Sequence, residues 1–242
     1  MLDGLPPEAN LPVGVADVAA VMHMAFHYRS AGPRGGCFAL LITLVLRSAM
    51  AAEPGAVADA AMNGDLVTMR SLLKQGADPT ARGAFGTPAL HWRVRVDDLA
   101  SAKLLLKSGA DPSELTERGV SPLALAVENG NAAMAQLLLV AGADPRETLP
   151  DGETLLMRAA QTGSLPVVKL LLDRGAAVDT REPAYQQTAL MFAARAGYAE
   201  VVSLLLERGA DVNAATKVGP TPAFIAPNSV PSVTSLVGIF CC

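Results

Sequence analysis

Residue types that carry acid–base, nucleophilic or metal chemistry are few in this chain, and they are spread in a way that defeats it. Catalysis needs a nucleophile beside a base, or several metal ligands, converging on one cleft. Histidine occurs at His23, His27 and His91, and the first two lie in or before a segment read below as a secretory signal, which leaves His91 by itself. Cysteine occurs at Cys37, Cys241 and Cys242, so the long middle of the chain has no thiol with which a disulfide framework or a zinc site could organise it. No serine stands in a GxSxG context, and no HExxH, Gly-rich phosphate loop or CxxC is present. The aspartates Asp78, Asp111, Asp144 and Asp211 recur at turn positions, where a carboxylate caps local backbone N–H groups. In a packed helical array they stand roughly 10 Å apart, too far to act as a carboxylate pair. The expectation is a non-enzyme with no catalytic residues, no cofactor and no metal.

The elements that position these residues follow from composition and period. Half of the 242 residues are apolar, enough for a sizeable core, while aromatics make up 4%, which suits close-packed short helices better than a β-sandwich. The formal charge of −4 offers no broad positive field for a nucleic acid backbone. A Gly-Ala-Asp string or its variant begins at Gly76, Gly109, Gly142, Gly175 and Gly209, at separations of 33, 33, 33 and 34 residues. A second marker, Gly64, Asp97, Gly130, Gly163 and Gly197, keeps the same separations. Leucine-rich runs such as Leu104 to Leu106 and Leu137 to Leu139 fall between them.

The copies of the segment that opens each unit read SPLALA from Ser121, TLLMRAA from Thr154, TALMFAA from Thr188 and TPAFIA from Thr221. The second repeat reads TPALH, with Thr87 and Pro88 one place early and Leu90 and His91 in register. In these motifs the chain resembles the ankyrin-repeat family over about residues 53–226. The resemblance implies an all-α ankyrin solenoid of helix–turn–helix units joined by hairpin loops, with His91 bonding its imidazole to neighbouring backbone.

The residues account for such a unit. A hydroxyl residue followed by Pro starts helix A, because the hydroxyl accepts an orphan N–H and Pro has none to lose. The second marker turns the chain, and Met134, Leu137 and Leu138 then lie on one stripe of helix B. The Gly-Ala-Asp glycine ends that helix in a left-handed conformation. A lone pair of helices cannot bury its apolar face, so the pairs stack. Repeat 1, about 53–80, is read as a cap with Asp59 and Asn63 turned to water; repeats 2 to 5 occupy about 81–113, 114–146, 147–180 and 181–213. Gly219, Thr221 and Pro222 open a partial sixth unit, after which Pro227 and Pro231 forbid a continuing helix, so residues 227–242 are read as an irregular, poorly ordered tail.

Residues 1–51 form an N-terminal extension and signal peptide. The apolar run CFALLITLVL at 37–46 follows Arg29 and Arg34, and Ala49 and Ala51 have the spacing of a signal-peptidase site, placing cleavage after Ala51. That run is about half of the roughly 20 residues a spanning helix needs, so the mature chain is expected to be secreted or periplasmic, with an uncleaved membrane anchor as the alternative. Met24 would start a signal of ordinary length and is the expected translation start.

By resemblance, ankyrin arrays hold partners at hairpin tips and along the concave face of helix A. The 33-residue frame transfers those positions to Ala84, Phe85 and Thr87; Glu117, Arg118 and Val120; Pro150, Asp151 and Glu153; and Ala184, Tyr185 and Gln187. On helix A it gives Arg95, Glu128, Asn129, Gln161, Thr162 and Arg195. Trp92 takes a position that packs between repeats, so it is read as core ahead of partner contact, and Arg93 stands where a repeat normally keeps alanine, so it either distorts its helix or presents a guanidinium to a ligand. The expected function is that of a monomeric module binding one protein partner; the alternatives are a degenerate repeat product without a partner, and an enzyme accessory subunit.

Overall fold

The computed structural model describes residues 53–217. The segment read as a signal peptide, the partial sixth unit beyond residue 217 and the tail all lie outside the described residues. Within that range there are ten helices in five pairs and no strand. They are α1 Ala56–Asn63 with α2 Leu66–Lys74, α3 Ala89–Arg95 with α4 Leu99–Lys107, and α5 Pro122–Glu128 with α6 Ala132–Ala141. The last two pairs are α7 Leu155–Thr162 with α8 Leu165–Asp173, and α9 Ala189–Ala196 with α10 Ala199–Glu207. The fold is the all-α repeat solenoid that the period implies.

Half of the ten helices begin at a side chain that accepts an orphan backbone N–H. The Ser121 side chain accepts from the Ala124 N–H with Pro122 in the first turn, and Thr154 accepts from Met157. In repeat 2 the early Thr-Pro puts Pro88 at the cap, and α3 has no side-chain cap at all. The residue after the interhelical turn also caps helix B: Asp65, Asp98 and Asn131 accept from Thr68, Ser101 and Met134 at 3.0, 3.1 and 3.0 Å. Where helix B ends, Gly142 sits at φ 112°, and its N–H and that of Ala143 return to Leu139 and Leu138. Asp97 adopts a φ of 55° at a marker position that glycine fills in the other repeats. The next repeat holds it there, since Asn129 and Asn131 each donate an Nδ2 to its carboxylate at 3.0 Å.

Like helices stack on like. Helix A of each repeat packs on helix A of the next, from α1 through α9, and helices B follow suit from α4 through α10. The core is therefore a set of rows at the repeat spacing: Leu90, Leu123, Leu156 and Leu190 on helix A, and Leu105, Leu138, Leu171 and Leu205 on helix B, none more than 2% exposed. Each such leucine contributes roughly 1.5–3 kcal/mol by leaving water.

The recurrent aspartates behave as turn caps. Asp78, Asp111, Asp144 and Asp211 each accept the N–H two residues on, at 2.8–2.9 Å. One expectation for the first repeat needs correction. Asn63 is exposed, but the Asp59 carboxylate accepts the Ala84 N–H at 2.9 Å and so ties α1 to the first hairpin tip rather than facing water.

Candidate protein-binding face

Hairpin tips and helix A lie side by side in each repeat because a short turn joins them. In repeats 2 to 4 that turn is closed by the tip glycine, whose N–H donates to the residue three before it: Gly86 to Gly83, Gly119 to Thr116, and Gly152 to Leu149. Repeat 5 carries one extra residue and closes differently, with Gln186 at φ 62° donating to Glu182 four residues back. Glu182 is 5% exposed and accepts the N–H groups of Ala184, Tyr185 and Gln187. Burial pushes its pKa up, but those three donors outweigh burial and leave it below its ordinary value.

The residues expected to meet a partner fall into two groups. Phe85, Thr87, Arg95, Glu117 and Arg118 line one cavity of about 470 Å³ between repeats 2 and 3, along with Trp92, Leu125 and Val120. Asp151, Glu153, Gln161, Tyr185, Gln187 and Arg195 line a second between repeats 4 and 5, with Ala184 and Phe192. Phe85 and Tyr185 are 68% and 58% exposed, as tip residues should be. Glu128 is exposed but lines neither cavity.

Asn129 and Thr162 of the expected set bond backbone carbonyls at helix ends. The Asn129 Nδ2 donates to the carbonyls of Val94 and Arg95 and to Asp97, closing the end of the preceding helix A. Thr162 turns its hydroxyl back on Ala159 at 3.0 Å. Both end their helices, where leftover carbonyls need donors. Arg158 went unnoticed in the sequence, yet its Nη2 lies 2.8 Å from Asp151 and 3.1 Å from Glu153. Burial raises the Glu153 pKa and the Arg158 charge opposes that rise. The signal for Arg158 was the frame itself, since Trp92, Leu125, Arg158 and Phe192 occupy one row.

One tryptophan and two arginines resolve as follows. Trp92 is half-buried, packs on the core and also forms part of the first cavity. Arg93 is 6% exposed, and its Nη2 donates to the Ala61 carbonyl while Nη1 lies 3.7 Å from Asp98, so it faces repeat 1 and not a ligand. Arg195 lies over the Phe192 ring, 4.8 Å from its centroid, and donates to Gln187 at 3.4 Å.

The family model for ankyrin repeats, of three copies, matches residues 57–148 and again 123–216. The chain belongs to the ankyrin-repeat family. No curated protein matches it. Ankyrin repeats are in general protein–protein interaction modules, and arrays of them are typically not enzymes. Among the described residues no helix is long and apolar enough to cross a membrane.

His91 takes the structural part expected of it. Its Nε2 donates to the Val120 carbonyl at 3.0 Å, so the ankyrin signature histidine of repeat 2 ties down the hairpin of repeat 3. Burial lowers its pKa from 6.5 to about 4, and the charge of Arg82 acts the same way. The folded protein keeps this ring neutral while the unfolded chain takes up the proton first, so stability falls as pH drops from about 6.5 to 4, by about 3 kcal/mol at most. Glu114, Glu147 and Glu153 are raised by burial, and stability from them grows on acidification. The test is therefore a difference: urea unfolding of wild type minus His91→Gln from pH 7 to 4. The difference should shrink as pH falls, and a flat one would show that His91 does not titrate between folded and unfolded states.

Proposed function

We propose that this ankyrin array is a recognition module without catalytic activity, holding a protein partner along the face built from its hairpin tips and helix A. One observation carries the reading. Phe85, Arg95 and Arg118 stand exposed around one cavity, and among the described residues neither arginine side chain has an ion pair or hydrogen bond. Aromatic and arginine side chains placed in this way are the usual concentrators of interface energy.

The partner follows the compartment. Residues 37–46 and the Ala49, Ala51 pair support export with cleavage after Ala51, so the partner is sought outside the cytoplasm. N-terminal sequencing of the exported product should begin at Ala52. The binding test is a titrated pull-down from periplasmic extract with wild type and with Phe85→Ala plus Arg95→Glu. Saturable retention of one protein by wild type and its loss from the double variant is the expected result. Retention that ignores both changes would remove this face from the account.

A further inference from the structure

The two cavities are copies of one constellation. Phe85 and Tyr185, Trp92 and Phe192, and Arg95 and Arg195 are each separated by 100 residues, which is three turns of the repeat. Each cavity thus has an exposed aromatic at the tip, a second aromatic set into helix A, and a helix A arginine. Their electrostatic states differ. In the second, Arg158 pairs with Asp151 and Glu153, backbone N–H groups satisfy Glu182, and Arg195 rests on Phe192 with Gln187 as its acceptor. In the first, among the described residues, the Arg95 and Arg118 side chains have no ion pair or hydrogen bond, and one exposed carboxylate, Glu117, which lies close to Gly86, stands against these two arginines.

We infer that the cavity between repeats 2 and 3 is built for an acidic peptide segment of the partner, one whose carboxylates meet Arg95 and Arg118 while a neighbouring aromatic or aliphatic side chain packs against Phe85 and Trp92. The inference rests on the reading above that this face binds protein, and it adds the chemistry of what binds. Charge complementarity decides it. Two guanidiniums on an apolar wall bind carboxylate with fixed geometry, whereas a basic segment would set like charges against both. In the second cavity the carboxylates of Asp151, Glu153 and Glu182 outnumber Arg158 and Arg195, so it has no net positive charge to draw an acidic segment. The chain has one tryptophan, Trp92, and it lies in the cavity, so its emission reports occupancy directly.

The test is selection of displayed random dodecapeptides on the full chain. Survivors are read by composition, by quenching or blue shift of Trp92, and by affinity for Phe85→Ala, Arg95→Glu and Arg118→Glu. All three positions are exposed, and an unchanged circular dichroism spectrum verifies that each variant is folded. The expected survivors are rich in Asp and Glu around an aromatic, perturb Trp92, and lose at least about tenfold in affinity on either charge reversal. Survivors that lose binding on Phe85→Ala but carry no acidic excess, or ignore both reversals, would overturn the inference and leave the binding face standing. Survivors indifferent to Phe85→Ala, or none above an unrelated control protein, would overturn both.

Discussion

Replacing Leu123 by alanine is expected to lower the unfolding free energy by about 3 kcal/mol. Leu123 is fully buried on α5 in the middle of the stack, between Leu90 and Leu156 of the same row. Removing its isobutyl group deletes apolar contact on both sides, and two flanking repeats cannot both close in on the gap without giving up their own register. A repeat array is stabilised by nearest-neighbour interfaces, so a lesion here weakens two of them at once. Val67→Ala is the control, because that side chain is 80% exposed and its loss should change stability by about 0.5 kcal/mol or less. Urea denaturation followed by ellipticity decides the matter. A Leu123→Ala loss no larger than that of Val67→Ala would mean the row is not the core.

The second large effect is expected at Arg93. Its row reads Arg93, Ala126, Ala159 and Ala193, and in this one copy a guanidinium fills space that elsewhere holds a methyl group. It donates to the Ala61 carbonyl near the end of α1 and lies against the Asp98 carboxylate, which itself caps α4. Arg93→Glu puts a buried carboxylate opposite a carbonyl and a second carboxylate with nothing to neutralise it, a change of about 3–5 kcal/mol. Arg93→Ala is expected to be the milder substitution, since its neighbours in the row show that alanine fits. The damage should appear first in repeat 1, because α1 stacks on α3. Hydrogen exchange of the charge-reversed variant should show amides of residues 57–74 unprotected while repeats 3 to 5 keep their protection. Uniform protection across the array would contradict the inward placement of Arg93.

What the sequence made legible was periodic, and what it hid was lateral. The Gly-Ala-Asp marker located the end of helix B correctly, as Gly142 shows, and the recurrent aspartates do the local bonding their positions imply. Those contacts close within a few residues. The contacts the sequence hid belong to polar side chains that reach the adjacent repeat. Asp59 turns to the Ala84 N–H across 25 residues of chain, Asn129 to the Val94 carbonyl across 35, and Arg93 to the Ala61 carbonyl across 32. A frame fixes where a Cβ lies, but a long polar side chain chooses among orphan backbone groups of two repeats, and that choice is made only once both are packed. Arg158 is a different case. It shares the Trp92 row, and acidic tip residues at Asp151 and Glu153 within its reach could have marked it as their partner.

Every assignment on the binding face depends on the units being equivalent and stacked in chain order. The most direct test removes residues 114–146, one 33-residue unit, which joins Ser113 to Glu147 exactly where Ser113 is normally followed by Glu114. A stack of equivalent units closes over the deletion, and the shortened chain should keep its helical ellipticity per residue and unfold cooperatively at lower urea. A shortened chain that is unstructured in buffer would contradict the account, because its repeats would then not be interchangeable and the rows drawn across them would have no basis.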